Sequence, residues 1–112
     1  MALDGAQQHR VRVELQSHFQ LVGLTELEAA SDLGWTVTRL QRTLQLTPGA
    51  EPVDVWQLRD YIVKACSDAR VRPRFSVLTA TNRLRARLWF QLKPAPSRGS
   101  GSPNPRPLDE FL

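Results

Sequence analysis

The sequence predicts an all-α fold: a five-helix domain built on a helix-turn-helix, with at most one short extended segment near residues 74–78. Two observations support this fold class. Apolar residues recur at the helical spacings of three and four along most of the chain, and residues 24–46 have the capping residues and the glycine turn of two short, connected helices. The chain has 112 residues, of which 41% are hydrophobic. That length and composition suit one folded domain with a modest core.

The first helix is expected from Asp4 to about Val22. Asp4 and Gln7 have the three-residue spacing of a reciprocal helix cap. The apolar residues of one stripe are separated by four, four and three positions: Val11, Leu15, Phe19 and Val22. Gly23 then ends the helix. A long first helix is needed here because a short motif alone cannot bury its inner face.

The helix-turn-helix is predicted from local signals in residues 24–46. Thr25 and Glu28 have the spacing of a capping box, and Gly34 provides the positive φ of a sharp helix exit. Thr36 can cap the second helix. The inner faces are expected to consist of six residues, namely Leu27, Ala30 and Leu33 in the first helix and Val37, Leu40 and Leu44 in the second.

A fourth helix is expected from Pro52 to about Ala69, because proline suits a first helical turn and Asp54 suits its positive end. Apolar residues cover much of its surface: Val55, Trp56, Leu58, Tyr61, Ile62, Ala65, Cys66 and Ala69. A helix this apolar is predicted to be buried against two neighbours, or against one neighbour and a partner subunit. Arg59 and Asp60 interrupt the apolar run and are expected at the solvent-exposed edge of this helix.

Residues 75–78 read as a short extended piece, and no other segment resembles a strand that could pair with it. Two interpretations stay open: an irregular connector, which we prefer, or a strand that pairs with its own copy across a homodimer. Thr79 or Thr81 then opens the last helix, which has three leucines on one face: Leu84, Leu88 and Leu92. The helical domain is expected to span residues 1–93. The Pro-, Gly- and Ser-rich tail, residues 94–112, is expected to be disordered.

The net charge of +4 is unevenly distributed along the chain. Residues 1–60 hold five basic and eight acidic side chains, a net charge of −3, whereas residues 61–112 hold ten basic and three acidic ones, a net charge of +7. Five arginines of the second part are candidates for contact with phosphate or with an acidic partner: Arg70, Arg72, Arg74, Arg83 and Arg87. Two less specific roles stay open for these arginines: binding a partner by charge alone, or keeping a small protein soluble.

Several blocks of residues form a recognisable set: Ser31–Trp35, Asp54–Tyr61 and Phe75–Thr79, followed by Asn82-Arg83 and Trp89-Phe90. Together they resemble a bacterial family known as domain of unknown function 2316. The resemblance covers roughly residues 11–92, and its middle block is the most specific. It implies an all-helical domain built on a helix-turn-helix, but no established activity and no catalytic or binding residues.

The second helix of the motif, residues 36–45, predicts DNA binding. If its apolar residues face inward, four polar residues face outward: Thr38, Arg39, Arg42 and Gln45. Arginine can bond bidentately to guanine and glutamine to adenine, and Thr36 can present its hydroxyl and backbone N–H groups to a phosphate. The sequence therefore favours a small repressor-like DNA-binding protein, a transcriptional regulator whose partners are double-stranded DNA and a second copy of itself in a homodimer.

Two features weaken that hypothesis. Thr43 lies where the motif usually has an aliphatic residue, so the second helix could be slightly rotated. Residues 24–46 hold two arginines and three carboxylates, a net charge of −1, whereas non-specific DNA affinity comes from neutralised phosphates. The alternative is a non-catalytic protein-interaction or dimerisation module that keeps the helix-turn-helix only as a packing scaffold. Its partner surface would use four aromatic residues: Trp56, Tyr61, Trp89 and Phe90.

The sequence does not favour an enzyme. It has no glycine-rich phosphate loop and no nucleophile motif, and its histidines, His9 and His18, are nine residues apart instead of three or four. The single cysteine, Cys66, excludes an internal disulfide and a cysteine-based metal site, so we expect no cofactor and no metal. No apolar run is long enough to span a bilayer, which predicts no membrane partner and a cytoplasmic location.

Overall fold

The computed structural model describes residues 5–88, 91–96 and 98–99. Its helices are α1 (Gly5–Leu21), α2 (Glu26–Leu33), α3 (Val37–Leu44), α4 (Pro52–Asp68) and α5 (Ala80–Ala86). The all-α fold class and the order of five helices are confirmed, and the described residues contain no β-strand. None of the helices in this part of the chain combines the length and apolarity that crossing a membrane requires.

Helix α1 turns its predicted stripe to the core. Val11 and Leu15 are fully buried and Phe19 is nearly so, while Val22 packs half-buried just after the helix. Gly23 follows with φ +70, a conformation that glycine adopts without steric cost. The cap predicted at residue 4 lies outside the described residues.

Helices α2 and α3 are joined by the predicted tight turn. Gly34 has φ 72, and the backbone N–H of Trp35 donates to the carbonyl of Ala30 at 2.9 Å, which closes the end of α2. The hydroxyls of Thr25 and Thr36 each accept a backbone N–H from three residues further on, at 3.1 and 3.0 Å. Both caps and the left-handed glycine therefore lie where local sequence signals predict them.

The inner face of α2 differs from the prediction at one position. Leu27 is 75% exposed, and Ala29 is buried instead, beside the predicted Ala30 and Leu33. Residues two apart in an α-helix lie about 200° apart around its axis, so positions 27 and 29 cannot both face the core. Two adjacent alanines let α2 approach α3 closely, and burying them turns Leu27 to solvent.

In α3, Thr43 occupies the position that the motif usually gives to an aliphatic residue. It is fully buried, and its hydroxyl donates to the carbonyl of Arg39 at 2.9 Å. The internal hydrogen bond satisfies the hydroxyl inside the core. Leu40 and Leu44 remain buried beside it as predicted, and Val37 is half-buried.

Helix α4 is the central element of the domain. Its buried residues surround most of its circumference: Asp54, Val55, Trp56, Gln57, Leu58, Tyr61, Ile62, Ala65 and Cys66. α1 and α3 pack along it, and polar side chains bond it to α2, α5 and the segment after α5. Among the described residues it therefore has more neighbours than the two that the sequence predicted.

Arg59 and Asp60 do not lie at a solvent-exposed edge of α4, so that prediction was wrong. Their side chains are only 14% and 12% exposed. The Asp60 carboxylate accepts from Arg59 Nη1 at 2.9 Å and from Arg83 Nε at 2.7 Å, and Arg59 Nε donates to the carbonyl of Leu78 at 3.0 Å. Because the charges pair with each other, this part of α4 can be covered by the residues that follow it.

Trp56 and Tyr61 are both core residues, exposed by 3% and 0%. They cannot form the aromatic partner surface expected under the alternative hypothesis, and the other two aromatics of that surface, Trp89 and Phe90, lie outside the described residues. The Tyr61 hydroxyl donates to the buried carboxylate of Asp32 at 2.5 Å, which links α4 to α2.

We expect Tyr61 to resist ionisation until the domain unfolds. Burial, with the adjacent Asp32 carboxylate, raises its pKa well above the ordinary value near 10. The folded state then keeps the proton that the unfolded chain loses, so this contribution to stability is complete below about pH 10 and falls as the pH rises further. Tyr61 is the only tyrosine, so its absorbance at alkaline pH can be compared directly with loss of helical circular dichroism. Ionisation that precedes unfolding would contradict the prediction.

The segment between α4 and α5, residues 71–78, is an irregular connector, as preferred from the sequence. It is fixed to α1 by side chains. His18 Nε2 accepts the backbone N–H of Arg74 at 2.8 Å, and the Glu14 carboxylate accepts both the backbone N–H and the hydroxyl of Ser76 at 3.0 and 2.7 Å. The His18 ring also stacks on Phe75 with centroids 4.5 Å apart.

The apolar face predicted for the last helix was wrong. Leu84 is 62% exposed and Leu88 is 82% exposed, whereas Ala86 is fully buried. α5 has only seven residues and ends at Ala86, so the four-residue spacing of the leucines does not continue on one helix. Leu92 lies beyond the helix, half-buried against the core.

The first described residues of the tail contact the domain. Ala95 is buried, and the carbonyls of Pro94 and Ala95 accept from Gln57 Nε2 at 3.2 Å and from Lys64 Nζ at 2.5 Å. The expected boundary at residues 93 and 94 stays a prediction, as does disorder of the tail, most of which lies outside the described residues.

Candidate nucleic-acid interface

The outer face of α3 is polar and open to solvent. Thr36, Thr38, Arg42 and Gln45, four of the five predicted DNA-contacting residues, are exposed. The Thr36 hydroxyl already accepts the N–H of Arg39, so its side chain stabilises the helix start as well as lying at the surface. The helix has eight residues, a little over two turns, which is enough to present one short row of side chains to a groove.

The side chain of Arg39, the fifth predicted residue, is bonded to other side chains of the same domain. Its Nε and Nη2 donate to the two carboxylate oxygens of Asp54 at 2.9 and 2.7 Å, and its guanidinium lies 4.6 Å from the Trp35 ring centroid. The hydrogen bond to Asp54 raises the pKa of Arg39. A bidentate ion pair with a cation–π contact is a rigid arrangement. Arg39 therefore fixes α3 to the first turn of α4, and reaching a base would require it to leave Asp54.

Arg42 has the opposite environment. Its side chain is exposed and makes no ion pair with any residue that the structure describes. Its stem runs beside the turn after α3, where a Cβ on Gly49 would lie only 3.0 Å from Arg42 Cδ. The glycine thus leaves room for the arginine to lie along the turn with its guanidinium free to take a ligand.

A shallow cleft of about 360 Å³ lies beside the C-terminal end of α3. Its lining combines an apolar floor with amide side chains: Gln16, Phe19, Gln20, Leu24, Glu26, Leu44 and Gln45. Glu26 is occupied by Gln41, whose Nε2 donates to its carboxylate at 2.9 Å. The cleft places Gln45 next to α1.

The predicted phosphate-contacting arginines are in two different states. Arg70, Arg72 and Arg74 form what we call the arginine row: all three are exposed, and they alternate with half-buried residues directly after α4. Arg87 is also exposed. Arg83 is instead bonded to Asp60 and holds α5 on α4.

The arginine row and the C-terminal end of α3 lie on opposite flanks of α1. The segment of the row is bonded to Glu14 and His18, whereas Gln45 shares its cleft with Gln16 and Gln20. Because residues two apart lie about 200° apart around a helix, these two pairs of α1 residues face opposite directions. The row is therefore not an extension of the α3 surface.

The sequence did not predict the roles of two residues of this region. Asp54 was expected at the positive end of α4 but also holds Arg39, and His18, which the sequence assigned to no site, is 8% exposed and links α1 to the row. No local signal connects Arg39 with Asp54, because the two residues are fifteen positions apart. Within the described residues no group of His, Cys, Asp and Glu side chains could hold a metal ion.

Comparison with known proteins gives one match. A family model described as an uncharacterised protein conserved in bacteria matches residues 1–91. No curated protein and no solved structure matches the chain.

Proposed function

The chain belongs to the DUF2316 family, and we propose that it is a small DNA-binding protein, a transcriptional regulator whose recognition helix is α3. The observation that supports this most is the outer face of α3, where Thr38, Arg42 and Gln45 are exposed behind a capped tight turn. These side chains suit a major groove, since arginine pairs with guanine and glutamine with adenine. Such a regulator would act in the cytoplasm.

In this proposal Arg39 and Arg42 have different roles, whereas the sequence hypothesis gave both a contact with DNA. Arg42 reads a base, and Arg39 positions α3 through Asp54. The arginine row, on the other flank of α1, attracts duplex DNA through its long-range field and contacts phosphate outside the groove that α3 enters. Its contribution is the same for every sequence.

The matched pair Arg42→Ala and Arg39→Ala tests the proposal. A preferred duplex is first selected from a random pool. Arg42→Ala should lower affinity for that duplex by about ten- to a hundredfold, because one bidentate base contact is worth about 1–3 kcal/mol, and should leave the free energy of unfolding unchanged within about 0.5 kcal/mol. Arg39→Ala should instead lower the free energy of unfolding by about 1–2 kcal/mol, because it removes a charge-assisted pair of hydrogen bonds to Asp54. The value is below that of a fully buried pair because the Arg39 side chain is 36% exposed.

Binding is measured by fluorescence anisotropy at several salt concentrations, and stability by urea unfolding. Wild-type affinity should fall at least about tenfold between low and physiological salt if several phosphates are contacted. Selection without an enriched sequence, or Arg42→Ala with unchanged affinity, would contradict the proposed function. Arg72→Ala is the control in the row: it should weaken all duplexes alike.

A second candidate function is a protein-interaction or dimerisation module. The observation that favours it is the exposure of Leu84, in α5, and Leu88, two residues after its end, two large apolar side chains four residues apart. Light scattering tests the dimerisation part: a dimer that Leu84→Glu converts to a monomer, in a protein that selects no duplex, would favour this second function, and a wild-type monomer would count against a dimerisation module.

A further inference from the structure

We infer that the corner between α1 and α2 is a binding site for an arginine–glycine segment, and that the chain's own Arg98–Gly99 is its resident occupant. The inference is independent of DNA binding. It concerns a surface that α3 does not share and residues that the sequence hypothesis assigned to no site.

The arginine part of the site surrounds the guanidinium of Arg98. Nε and Nη2 donate to the two carboxylate oxygens of Glu28, at 2.5 and 2.9 Å. Nη1 donates to the carbonyl of Val22 at 3.0 Å, and Nη2 makes a longer contact with the carbonyl of Gly23 at 3.4 Å. Four of the five guanidinium N–H groups thus have a partner, and these partners come from α2 and from the loop that joins it to α1.

The position of these partners explains why a cation binds there. Val22 and Gly23 directly follow the C-terminal end of α1, where helix carbonyls lack intrahelical partners and the helix dipole is negative. Glu28 lies in the first turn of α2, held by the N-cap of that helix. Carbonyls and carboxylate converge on one point. A guanidinium can donate to several such acceptors at once through its fixed fork of N–H groups, which a lysine ammonium cannot reproduce.

The glycine part of the site is a second anchor. The backbone N–H of Gly99 donates to Asp32 Oδ2 at 2.8 Å, and the same oxygen accepts the Tyr61 hydroxyl. Asp32 is 8% exposed, so Tyr61 holds a mostly buried acceptor in position for the incoming N–H. Gly99 has φ +85, a conformation that a residue with a Cβ rarely adopts. The site therefore selects glycine by backbone conformation, immediately after the arginine.

A single ion pair that is one-third exposed would be weak evidence, because surface salt bridges contribute little. Here the guanidinium contacts and the glycine anchor act together on two adjacent residues. The site is thus specific for a dipeptide, and a segment of the same chemistry from another chain can occupy it when the tail is displaced.

The experiment removes the chain's own arginine from the site and then supplies the same segment as a free peptide. Full-length Arg98→Ala is titrated with a capped peptide of sequence PAPSRGSG, that of residues 94–101, and backbone amide shifts are followed by NMR. Saturable shifts at Gly23, Glu28 and Asp32 are expected, with a dissociation constant of about 1 mM or below. The wild type should bind the peptide about twofold more weakly for a dissociation constant of about 1 mM, and about tenfold more weakly for one of about 0.1 mM, since its tethered arginine competes at a millimolar effective concentration.

Three controls decide the result. A peptide with lysine for arginine should bind at least about tenfold more weakly, and Glu28→Gln added to Arg98→Ala should abolish the shifts. The bond from Arg98 lowers the pKa of Glu28, against an opposing effect of burial and of Asp32. Affinity should therefore hold at neutral pH and fall as the pH approaches that of ordinary carboxyl titration. Equal binding of both peptides, shifts elsewhere, or no saturable shift would overturn the inference. If Arg98→Ala loses its helical circular dichroism, Arg98→Lys takes its place.

Discussion

Replacing Tyr61 by alanine is expected to lower the free energy of unfolding by about 3–5 kcal/mol, as for other large aromatic-to-alanine changes in a core. Tyr61 is the largest side chain among the fully buried residues that the structure describes. Its removal leaves a cavity beside α2 and takes a hydrogen bond from the buried Asp32 carboxylate. Since small domains are stable by about 5–15 kcal/mol in total, the variant should be close to unfolding at 37 °C.

Tyr61→Phe separates the two causes. It keeps the ring and removes only the hydroxyl, so it should cost about 1–3 kcal/mol, the range for leaving a buried acceptor short of a partner. Urea unfolding followed by circular dichroism measures both variants, and Ser67→Ala, an exposed position on the same helix, should stay within about 0.5 kcal/mol of the wild type. If phenylalanine costs as much as alanine, cavity formation is not the main effect and the packing argument fails.

His18→Ala should cost about 2–4 kcal/mol. The change leaves the Arg74 N–H without its acceptor, worth about 1–3 kcal/mol in a buried site, and removes the stack on Phe75, worth about 0.5–1.5 kcal/mol. The effect should be concentrated in the connector of residues 71–78. Limited proteolysis with trypsin after Arg74 should therefore accelerate in the variant at urea concentrations where the helices remain folded.

His9→Ala is the matched control for that prediction. His9 is the chain's other histidine, lies on the same helix, and is exposed, with one hydrogen bond to Arg12 at 3.1 Å. Its replacement should change stability by less than about 0.5 kcal/mol. Equal losses for the two histidines would mean that His18 does not fix the connector.

The parts of the fold that the sequence predicts are those governed by neighbours within a few residues. The caps at Thr25 and Thr36 and the left-handed turn at Gly34 depend on bonds spanning three to five residues, and they lie where predicted. The stripe of α1 follows from helical periodicity over its full length. These signals are local, so one sequence suffices to read them.

The remaining features depend on partners far apart in the chain. Arg39 meets Asp54 fifteen residues later, Glu14 meets Ser76 after sixty-two, and Arg98 meets Glu28 at a separation of seventy. Each of these charged or polar residues looks like a solvated surface residue when read alone. For this reason the face of α3 that points to solvent was predictable, whereas the ion pair of Arg39 with Asp54 was not.

The error at α5 has a different origin. Leu84 and Leu88 have the spacing of a helix face, but the helix ends at Ala86 and packs through that small residue. Periodicity identifies a face only when the helix is long enough to repeat it. Seven residues make two turns, which is too short for a four-residue spacing to repeat along one face.

Because α4 is enclosed by the rest of the chain, its fully buried Cys66 is a built-in reporter of opening. Burial raises the pKa of this thiol and shields it from reagents, so its modification should be slow until the core opens. The chain has no other cysteine. The rate at which a disulfide reagent modifies the native protein thus measures how often α4 loses its neighbours, without any engineered label.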